Sequence, residues 1–254
     1  MQFTIESGGL SLAGHLCRPE EPVTDPPPAL VLCHGFPAGP GGAATSAQTY
    51  PELAQHLATE AGWVVLTFNF RGTGASPGNF SLGGWLADIR AAVDHVLSTE
   101  AVSGVWLAGS STGGALAMCE AAEDERVRGV AALAAPAAFS TWSDDPESFL
   151  AHARAIGVVT DPDYPPDPNA WARELAEIRA LAVVAKIPPR PLLLVHGADD
   201  DTVPLADARA LAEAAADNVE LRVVNQAGHR LRHDPRAVAV LLGWLGDQAP
   251  PGSG

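Results

Sequence analysis

Short, mostly apolar runs alternate along the chain with longer amphipathic segments. The runs lie at residues 29–33, 63–68, 105–108, 127–133, 192–195 and 219–224. Runs of this length are typical of strands buried on both faces of a parallel sheet. Apolar residues spaced three or four apart predict helices at residues 51–61, 85–97, 205–215 and 235–245, and a fifth is expected over 115–122. The alternation predicts the α/β class, with a parallel sheet and right-handed crossovers.

Two regions depart from this alternation. Residues 3–5 and 10–17 alternate apolar and polar positions around a Ser-Gly-Gly turn, which predicts a hairpin at the sheet edge. Residues 137–186 contain clustered aspartates and prolines around two segments with helical character, 147–156 and 169–184. The chain outside these two regions therefore carries the regular part of the fold.

The sequence Gly109-Ser110-Ser111-Thr112-Gly113 lies where a predicted strand turns into a predicted helix. A Gly-x-Ser-x-Gly turn in this context holds its central serine in a strained, exposed conformation. Side chains at the two outer glycines would collide with the crossing backbone. A phosphate-binding turn is the alternative, but no Gly-x-Gly-x-x-Gly or Gly-Lys-Ser/Thr sequence accompanies it. The motif thus favours Ser111 as a nucleophile over the neighbouring Ser110.

Three further motifs follow predicted strands, and together with the serine motif they resemble the α/β-hydrolase family. They are His-Gly-Phe-Pro at 34–37, His-Gly-x-Asp-Asp-Asp-x-Val-Pro at 196–204, and Ala-Gly-His at 227–229. The resemblance implies the α/β-hydrolase fold, a mostly parallel central sheet with helices on both faces and a small helical cap. It implies a core of residues 1–136 and 187–248, a cap insertion at 137–186, and a flexible tail at 249–254.

The resemblance also assigns candidate roles around Ser111. A serine hydroxyl needs a base to remove its proton, and His229 is the candidate, with His233 as a rival. Asp199, Asp200 and Asp201 compete to orient that histidine, and the family's spacing to Val203-Pro204 selects Asp200. The six other histidines are expected to be structural or to lie on helices and on the edge hairpin.

A tetrahedral intermediate needs backbone N–H donors for its oxyanion. Thr112, directly after the serine, is expected to supply one of them. Phe36 is the second candidate, because the neighbouring Pro37 has no N–H to donate.

Other residues near the expected site have a structural alternative to a role with substrate. Arg71, Arg230 and Arg232 lie on loops near its rim and are candidates to hold an anionic group, but surface ion pairing is the favoured interpretation. The aromatic residues of segment 137–186 are candidates for lining a substrate pocket, although for each one packing onto the sheet is the more favoured role. They are Phe139, Trp142, Phe149, Tyr164 and Trp171.

Composition narrows the class of function. With 15 basic and 30 acidic residues, and a net charge of −15, the chain lacks the basic footprint of a nucleic-acid binder and is repelled by anionic membranes. Its three cysteines form no even disulfide framework, and no leader segment is apparent at the N-terminus, so a cytoplasmic protein is expected. No metal-ligand spacing is present, and neither a metal nor a cofactor is expected.

These observations predict a serine hydrolase that cleaves a carboxylic ester or thioester of small to medium acyl size through an acyl-enzyme. An amidase or peptidase, and a cofactor-free lyase or carbon–carbon bond hydrolase, remain open because the same scaffold hosts them. A non-catalytic binding protein is the remote alternative. The partner is a small-molecule substrate; the bond cleaved and the choice between monomer and homodimer stay undetermined.

Overall fold

An eight-stranded, mostly parallel sheet organises the chain, as the apolar runs predict; the computed structural model describes residues 2–248. The strands are β1 (Gln2–Ser7), β2 (Leu10–Cys17), β3 (Ala29–Cys33), β4 (Val64–Phe68), β5 (Val105–Ser110), β6 (Val127–Leu133), β7 (Leu192–Gly197) and β8 (Val219–Val224). The helices are α1 (Gly42–Thr45), α2 (Tyr50–Ala61), α3 (Leu82–Thr99), α4 (Thr112–Glu123), α5 (Ser140–Ser143), α6 (Pro146–Ile156), α7 (Pro168–Glu177), α8 (Ala180–Val183), α9 (Leu205–Ala215) and α10 (Pro235–Gln248). Short 3₁₀ turns cover Val184–Lys186 and Leu231–His233.

The sheet order is β1-β2-β4-β3-β5-β6-β7-β8. β1 pairs with β2, and β2 with β4, in antiparallel fashion, so the predicted edge hairpin is confirmed. All pairings from β4 to β8 are parallel. The carboxyl ends of β3, β5, β7 and β8 therefore lie along one edge, where ligands bind in open α/β sheets.

Helices cover both faces of the sheet because successive strand residues point to opposite sides. In β3, Val31 belongs to the core shared with α3, α4 and α9, whereas Leu30 and Leu32 belong to the core under α2 and α10. All five residues of β3 are buried, as a strand covered on both faces requires. The α/β class and the mostly parallel sheet are thus confirmed.

Residues 137–186 lie between β6 and β7 and hold four of the helices. The expectation of one helical segment over 169–184 is wrong, because Ile178 and Arg179 adopt extended backbone angles between α7 and α8. The N–H of Leu181 instead donates to the carbonyl of Ala137, which fastens the end of this segment to its beginning. Tertiary hydrogen bonding therefore overrides a locally helical sequence.

Smaller differences concern element boundaries. α3 begins at Leu82 rather than Trp85, because the Ser81 hydroxyl caps it by accepting from the N–H of Gly84 at 2.9 Å. The connection between β3 and α2 contains the short helix α1. The expected tail at 249–254 lies outside the described residues. Within residues 2–248, no helix combines the length and apolar character needed to cross a membrane.

Candidate active site

Ser111 sits in a sharp turn between β5 and α4. Its backbone angles, φ 52° and ψ −124°, belong to the left-handed side of conformational space that non-glycine residues rarely adopt. A Cβ at Gly113 would meet the backbone carbonyl of His34, and one at Gly109 would meet the backbone of Gly113. Both outer glycines of the motif are therefore needed for the close crossing that the sequence predicts.

His229 and Asp200 lie in line with the serine. The Ser111 hydroxyl is 3.0 Å from Nε2 of His229, and Nδ1 of His229 is 2.9 Å from Oδ2 of Asp200. Ser111 follows β5, Asp200 follows β7 and His229 follows β8, so the parallel sheet alone brings these distant residues to one edge. The structure thus places the three predicted residues within hydrogen-bonding distance of one another.

The geometry distinguishes Asp200 from its two neighbours. Its side chain has no exposed surface, and Oδ1 accepts hydrogen bonds of 2.9 Å from the backbone N–H groups of Thr202 and Val203. Asp199 and Asp201 are exposed. Because Oδ1 is held by two backbone donors, Oδ2 is fixed toward His229.

The rival base lies elsewhere. His233 is exposed in the 3₁₀ turn before α10. His196 is buried, and its Nε2–H donates to the carbonyl of Val203, which supports the loop that carries Asp200. His15 lies on β2, and His56, His95 and His152 lie on α2, α3 and α6, as expected.

Close to Ser111, two backbone N–H groups have no hydrogen-bond acceptor within residues 2–248. Among residues 2–248, neither the N–H of Phe36 nor that of Thr112 donates a hydrogen bond to another protein group. The loop of Phe36 approaches the serine closely, since a Cβ at Gly35 would lie 3.1 Å from both the carbonyl oxygen of Ser110 and the Cβ of Ser111. Free donors at such a turn are what an oxyanion requires.

His34 fastens the loop that carries Phe36. Its Nε2 accepts from the N–H of Phe70 at 3.2 Å, so Nδ1 carries the proton and donates to the carbonyl of Gly35 at 2.8 Å. Burial lowers the pKa of His34 to about 4, although the hydrogen bond to the Gly35 carbonyl acts in the opposite direction and raises it. The imidazole is therefore neutral near pH 7. Through its hydrogen bonds to Gly35 and Phe70, it ties the loop that carries Phe36 to the segment after β4. Thr73, from the tight loop after β4, packs against the same ring with its hydroxyl 3.1 Å from Nε2.

The aromatic residues of segment 137–186 pack together and onto the Phe36 side chain. The Trp142 and Phe149 rings stack with centroids 4.2 Å apart, and their centroids lie 5.0 and 5.5 Å from that of Phe36. None of the five aromatic residues considered as pocket-lining candidates borders the cavity at Ser111. These residues attach the cap to the core of the sheet, which is the packing role that the sequence favours over lining a substrate pocket.

A cavity of about 290 Å³ opens at Ser111. It is bordered by residues 34–38 after β3, by positions on and after α1 up to Tyr50, by Ser110 and Ser111, and by residues 229–232. The segments after β3 and β8 and the serine turn after β5 therefore form it, and the cap contributes none of its lining.

The three arginines near the site differ in their partners. Arg71 forms an ion pair with the buried Asp88 at 2.6 Å, so the expectation of ion pairing is met for this residue. Arg230 and Arg232 border the cavity, and neither forms a salt bridge with any carboxylate of residues 2–248. The expected surface ion pairing is therefore wrong for these two.

The described part of the chain contains no cluster of side chains suited to metal binding and no paired cysteines. No cluster of three or more histidine, cysteine or acidic side chains there has a geometry that could hold a metal ion. Cys17, Cys33 and Cys119 are buried and unpaired, and burial raises the pKa of the Cys33 thiol far above its ordinary value.

Comparison with known proteins places this geometry in context. A sequence model of the Alpha/beta hydrolase family matches residues 30–241, which include every residue of the site. A monoacylglycerol lipase of Mycolicibacterium smegmatis is 26% identical over 267 aligned positions, covering 92% of this chain and 91% of the lipase.

Solved structures share the fold across nearly the whole chain. Est1E from Butyrivibrio proteoclasticus, solved with ferulic acid bound, superposes with a TM-score of 0.70 at 23% identity, covering 96% of each chain. The alpha/beta hydrolase GrgF from Penicillium sp. sh18 gives a TM-score of 0.74 at 22% identity, covering 97% of each chain. At this level of identity the likeness concerns the fold, and it confirms the architecture that the motifs predict.

Proposed function

The chain belongs to the alpha/beta hydrolase family, and on that premise we propose that it is a serine hydrolase which cleaves a carboxylic ester through an acyl-enzyme. The observation that carries the proposal is the continuous line of hydrogen bonds from Ser111 through His229 to Asp200. The monoacylglycerol lipase relative supports an ester over other acyl compounds.

The proposed reaction begins with attack of the Ser111 hydroxyl on the substrate carbonyl carbon. His229 Nε2 takes the hydroxyl proton, and Asp200 stabilises the resulting imidazolium through Nδ1–H. The carbonyl oxygen, now an oxyanion, accepts hydrogen bonds from the N–H groups of Phe36 and Thr112. His229 then gives its proton to the leaving alcohol, and the second half of the reaction repeats these steps with water as the nucleophile.

The cavity favours a substrate of small to medium size. Ligand sites commonly span about 300 to 1,000 Å³, and the cavity of about 290 Å³ at Ser111 lies at the low end of that range. Aromatic rings of the cap pack against one another and against Phe36, and none of these cap residues lines the cavity. A short acyl chain is therefore the proposed preference.

The division into a core (1–136 and 187–248) and a cap (137–186) is part of the proposal. The cap holds the Phe36 ring through Trp142 and Phe149. Its proposed task is to position the loop that carries an oxyanion donor, with substrate contact left to the loops after β3 and β8.

The proposal is tested by intact-mass labelling with a fluorophosphonate and by turnover of 4-nitrophenyl esters of graded chain length. We expect one label per chain, lost in Ser111→Ala and kept in Ser110→Ala, whose hydroxyl is the adjacent control. Turnover is expected to be highest for short acyl chains. Labelling without ester turnover would redirect the proposal to an amide or a carbon–carbon bond. Absence of labelling would contradict an active nucleophile and favour a binding protein.

A further inference from the structure

Arg232 is a cation in the proposed active-site cavity with no anionic partner. It belongs to the 3₁₀ turn that begins two residues after His229, and it borders the same cavity as Ser111. Its Cζ lies 5.4 Å from the ring centroid of Tyr50, which also borders the cavity. Its Nε atom is buried and makes no hydrogen bond within residues 2–248. Contact with the Tyr50 ring therefore holds the side chain in place while its hydrogen-bonding capacity stays unused.

Of the fourteen arginines, six form a salt bridge within residues 2–248 and Arg232 is among the eight that do not; its position in a cavity beside the proposed nucleophile distinguishes it from most of those eight. Several other arginines in the described structure are paired with carboxylates: Arg71 with Asp88, Arg90 with Glu120, Arg126 with Asp124, and Arg236 with Asp234. Arg230 also borders the cavity without a salt bridge, and no aspartate or glutamate lines it. The cavity is thus a locally positive site in a chain of net charge −15.

A buried donor without a partner is costly, and each one in a native structure calls for an explanation, such as a water, an ion or a functional role. A guanidinium presents planar N–H donors that match a carboxylate, and such charge-assisted bonds are among the strongest in proteins. The overall negative charge would repel an anionic substrate, so a local pair of arginines is the kind of feature needed to bind one.

We propose that Arg232, assisted by Arg230, binds a carboxylate carried by the substrate, so that the preferred substrate is an anionic ester. This inference rests on the proposed ester hydrolase function and narrows its substrate class. Arg232 is here a specificity-determining residue, since the bond-making steps are assigned to other side chains. The charge belongs either to the acyl half or to the alcohol half of the ester, and the test separates the two.

Two matched substrate pairs test the proposal. For the acyl half, kcat/KM is compared between mono-4-nitrophenyl glutarate, which carries a free carboxylate, and 4-nitrophenyl hexanoate. For the alcohol half, 4-acetoxybenzoate is compared with its neutral methyl ester. In one pair we expect the wild-type protein to prefer the anion by about tenfold to a hundredfold, the size expected for a charge-assisted hydrogen bond. The preference should fall as salt is raised from about 20 to 500 mM, because exposed charges are screened.

Substitution identifies the residue responsible. Arg232→Met keeps much of the side-chain length and should abolish most of the anion preference, with the neutral ester as the internal reference. Arg209→Gln on α9 removes the same charge from an exposed position that has no salt-bridge partner within residues 2–248, and it should leave both ratios unchanged. A wild-type ratio near one in both pairs, or a ratio unaltered in Arg232→Met, would overturn the inference while leaving ester hydrolysis intact.

A binding measurement keeps the inference testable should no ester be hydrolysed. Titration calorimetry with monomethyl glutarate, a monoanion, is compared with neutral dimethyl glutarate for the wild-type protein and Arg232→Met. Tighter binding of the monoanion to the wild-type protein, lost in the variant, would support the anion site although the proposed reaction had failed. Equal binding of the two compounds would contradict it.

Discussion

At the scale of single residues, three consecutive aspartates show how the fold selects one carboxylate. Asp200 alone among them is removed from solvent, and its Oδ1 is held by the N–H groups of Thr202 and Val203. In the proposed reaction, a carboxylate fixed in this way keeps His229 in the tautomer that leaves Nε2 free to accept the serine proton. Asp199 and Asp201 are exposed and have no such restraint.

This difference predicts a large gap between two conservative substitutions. Asp200→Asn should lower kcat by roughly a thousandfold or more, because an amide cannot stabilise the imidazolium and favours the wrong tautomer. Asp199→Asn should keep kcat within about threefold. Steady-state kinetics on a 4-nitrophenyl ester would measure both values, and circular dichroism would check folding. Equal losses, or a larger loss in Asp199→Asn, would move the role of the acid away from Asp200.

His34 is the second residue whose environment has a measurable consequence. Its folded pKa of about 4 lies below the ordinary histidine value of about 6.5. Between these two pH values the unfolded chain binds a proton at His34 that the folded chain does not. Lowering the pH through this window should therefore reduce the free energy of unfolding, by at most about 3 kcal/mol from this group.

Urea unfolding at pH 7, 5.5 and 4.5 would measure this effect by comparison with His34→Gln. The stability difference between the wild-type protein and His34→Gln should shrink as the pH falls, because only the wild-type protein carries the titrating group. His56→Gln, exposed on α2, is the control and should run parallel to the wild-type protein. Parallel profiles for His34→Gln and the wild-type protein would show that His34 is not held neutral.

At the scale of elements, the cap is fastened by an aromatic stack. Phe149 on α6 is buried, and its ring stacks on Trp142 and on Trp171, with centroids 4.2 and 5.7 Å away. Phe149→Ala should lower the free energy of unfolding by about 3 kcal/mol, through lost burial and the cavity left behind. Leu181→Ala, an exposed position on α8, should change it by less than about 1 kcal/mol. Chemical denaturation would measure both, and similar losses would contradict a stack that attaches the cap.

The elements also separate what the sequence could predict from what it could not. β3 is a five-residue apolar run bounded by a proline-rich connector and a His-Gly turn, so its limits follow from local sequence. The break between α7 and α8 does not, because Ile178 and Arg179 carry no helix-breaking signal and the cause is a hydrogen bond to Ala137. Elements defined by burial were predictable, whereas those defined by distant partners were not.

The same distinction applies to the site. The proximity of Ser111, Asp200 and His229 could be predicted from sequence because each follows a strand, and strand ends in a parallel sheet share an edge. The position of the cavity was not predictable, since it depends on how the loops after β3 and β8 pack against each other. That Arg232 has no salt-bridge partner within residues 2–248 was not predictable either, because it too depends on how these loops pack. An arginine three residues after the predicted base was the available signal, but sequence does not say which carboxylates lie near it.

At the scale of the whole molecule, the cap and the sheet share one hydrophobic core. Phe139, Phe149 and Trp171 of the cap belong to the same buried cluster as Val31 of β3 and Ile89 of α3. A cap with a hydrophobic core of its own could unfold independently of the sheet. A cap whose buried side chains belong to the core of the sheet is not stable once the sheet unfolds. We therefore expect the whole described chain to unfold in one cooperative transition, although chains above about 150 residues often show intermediates.

Two probes would test this expectation in a single urea titration. Far-ultraviolet circular dichroism follows the helices and strands, and near-ultraviolet circular dichroism follows tryptophan packing, to which Trp142 and Trp171 of the cap contribute. The two curves should share one midpoint and one slope. In Phe149→Ala both midpoints should shift together, because weakening the stack weakens the common core. If the near-ultraviolet signal were lost first, in the wild-type protein or in the variant, the cap would be a separately folding unit, and its contacts with Phe36 would be too weak to position the oxyanion loop.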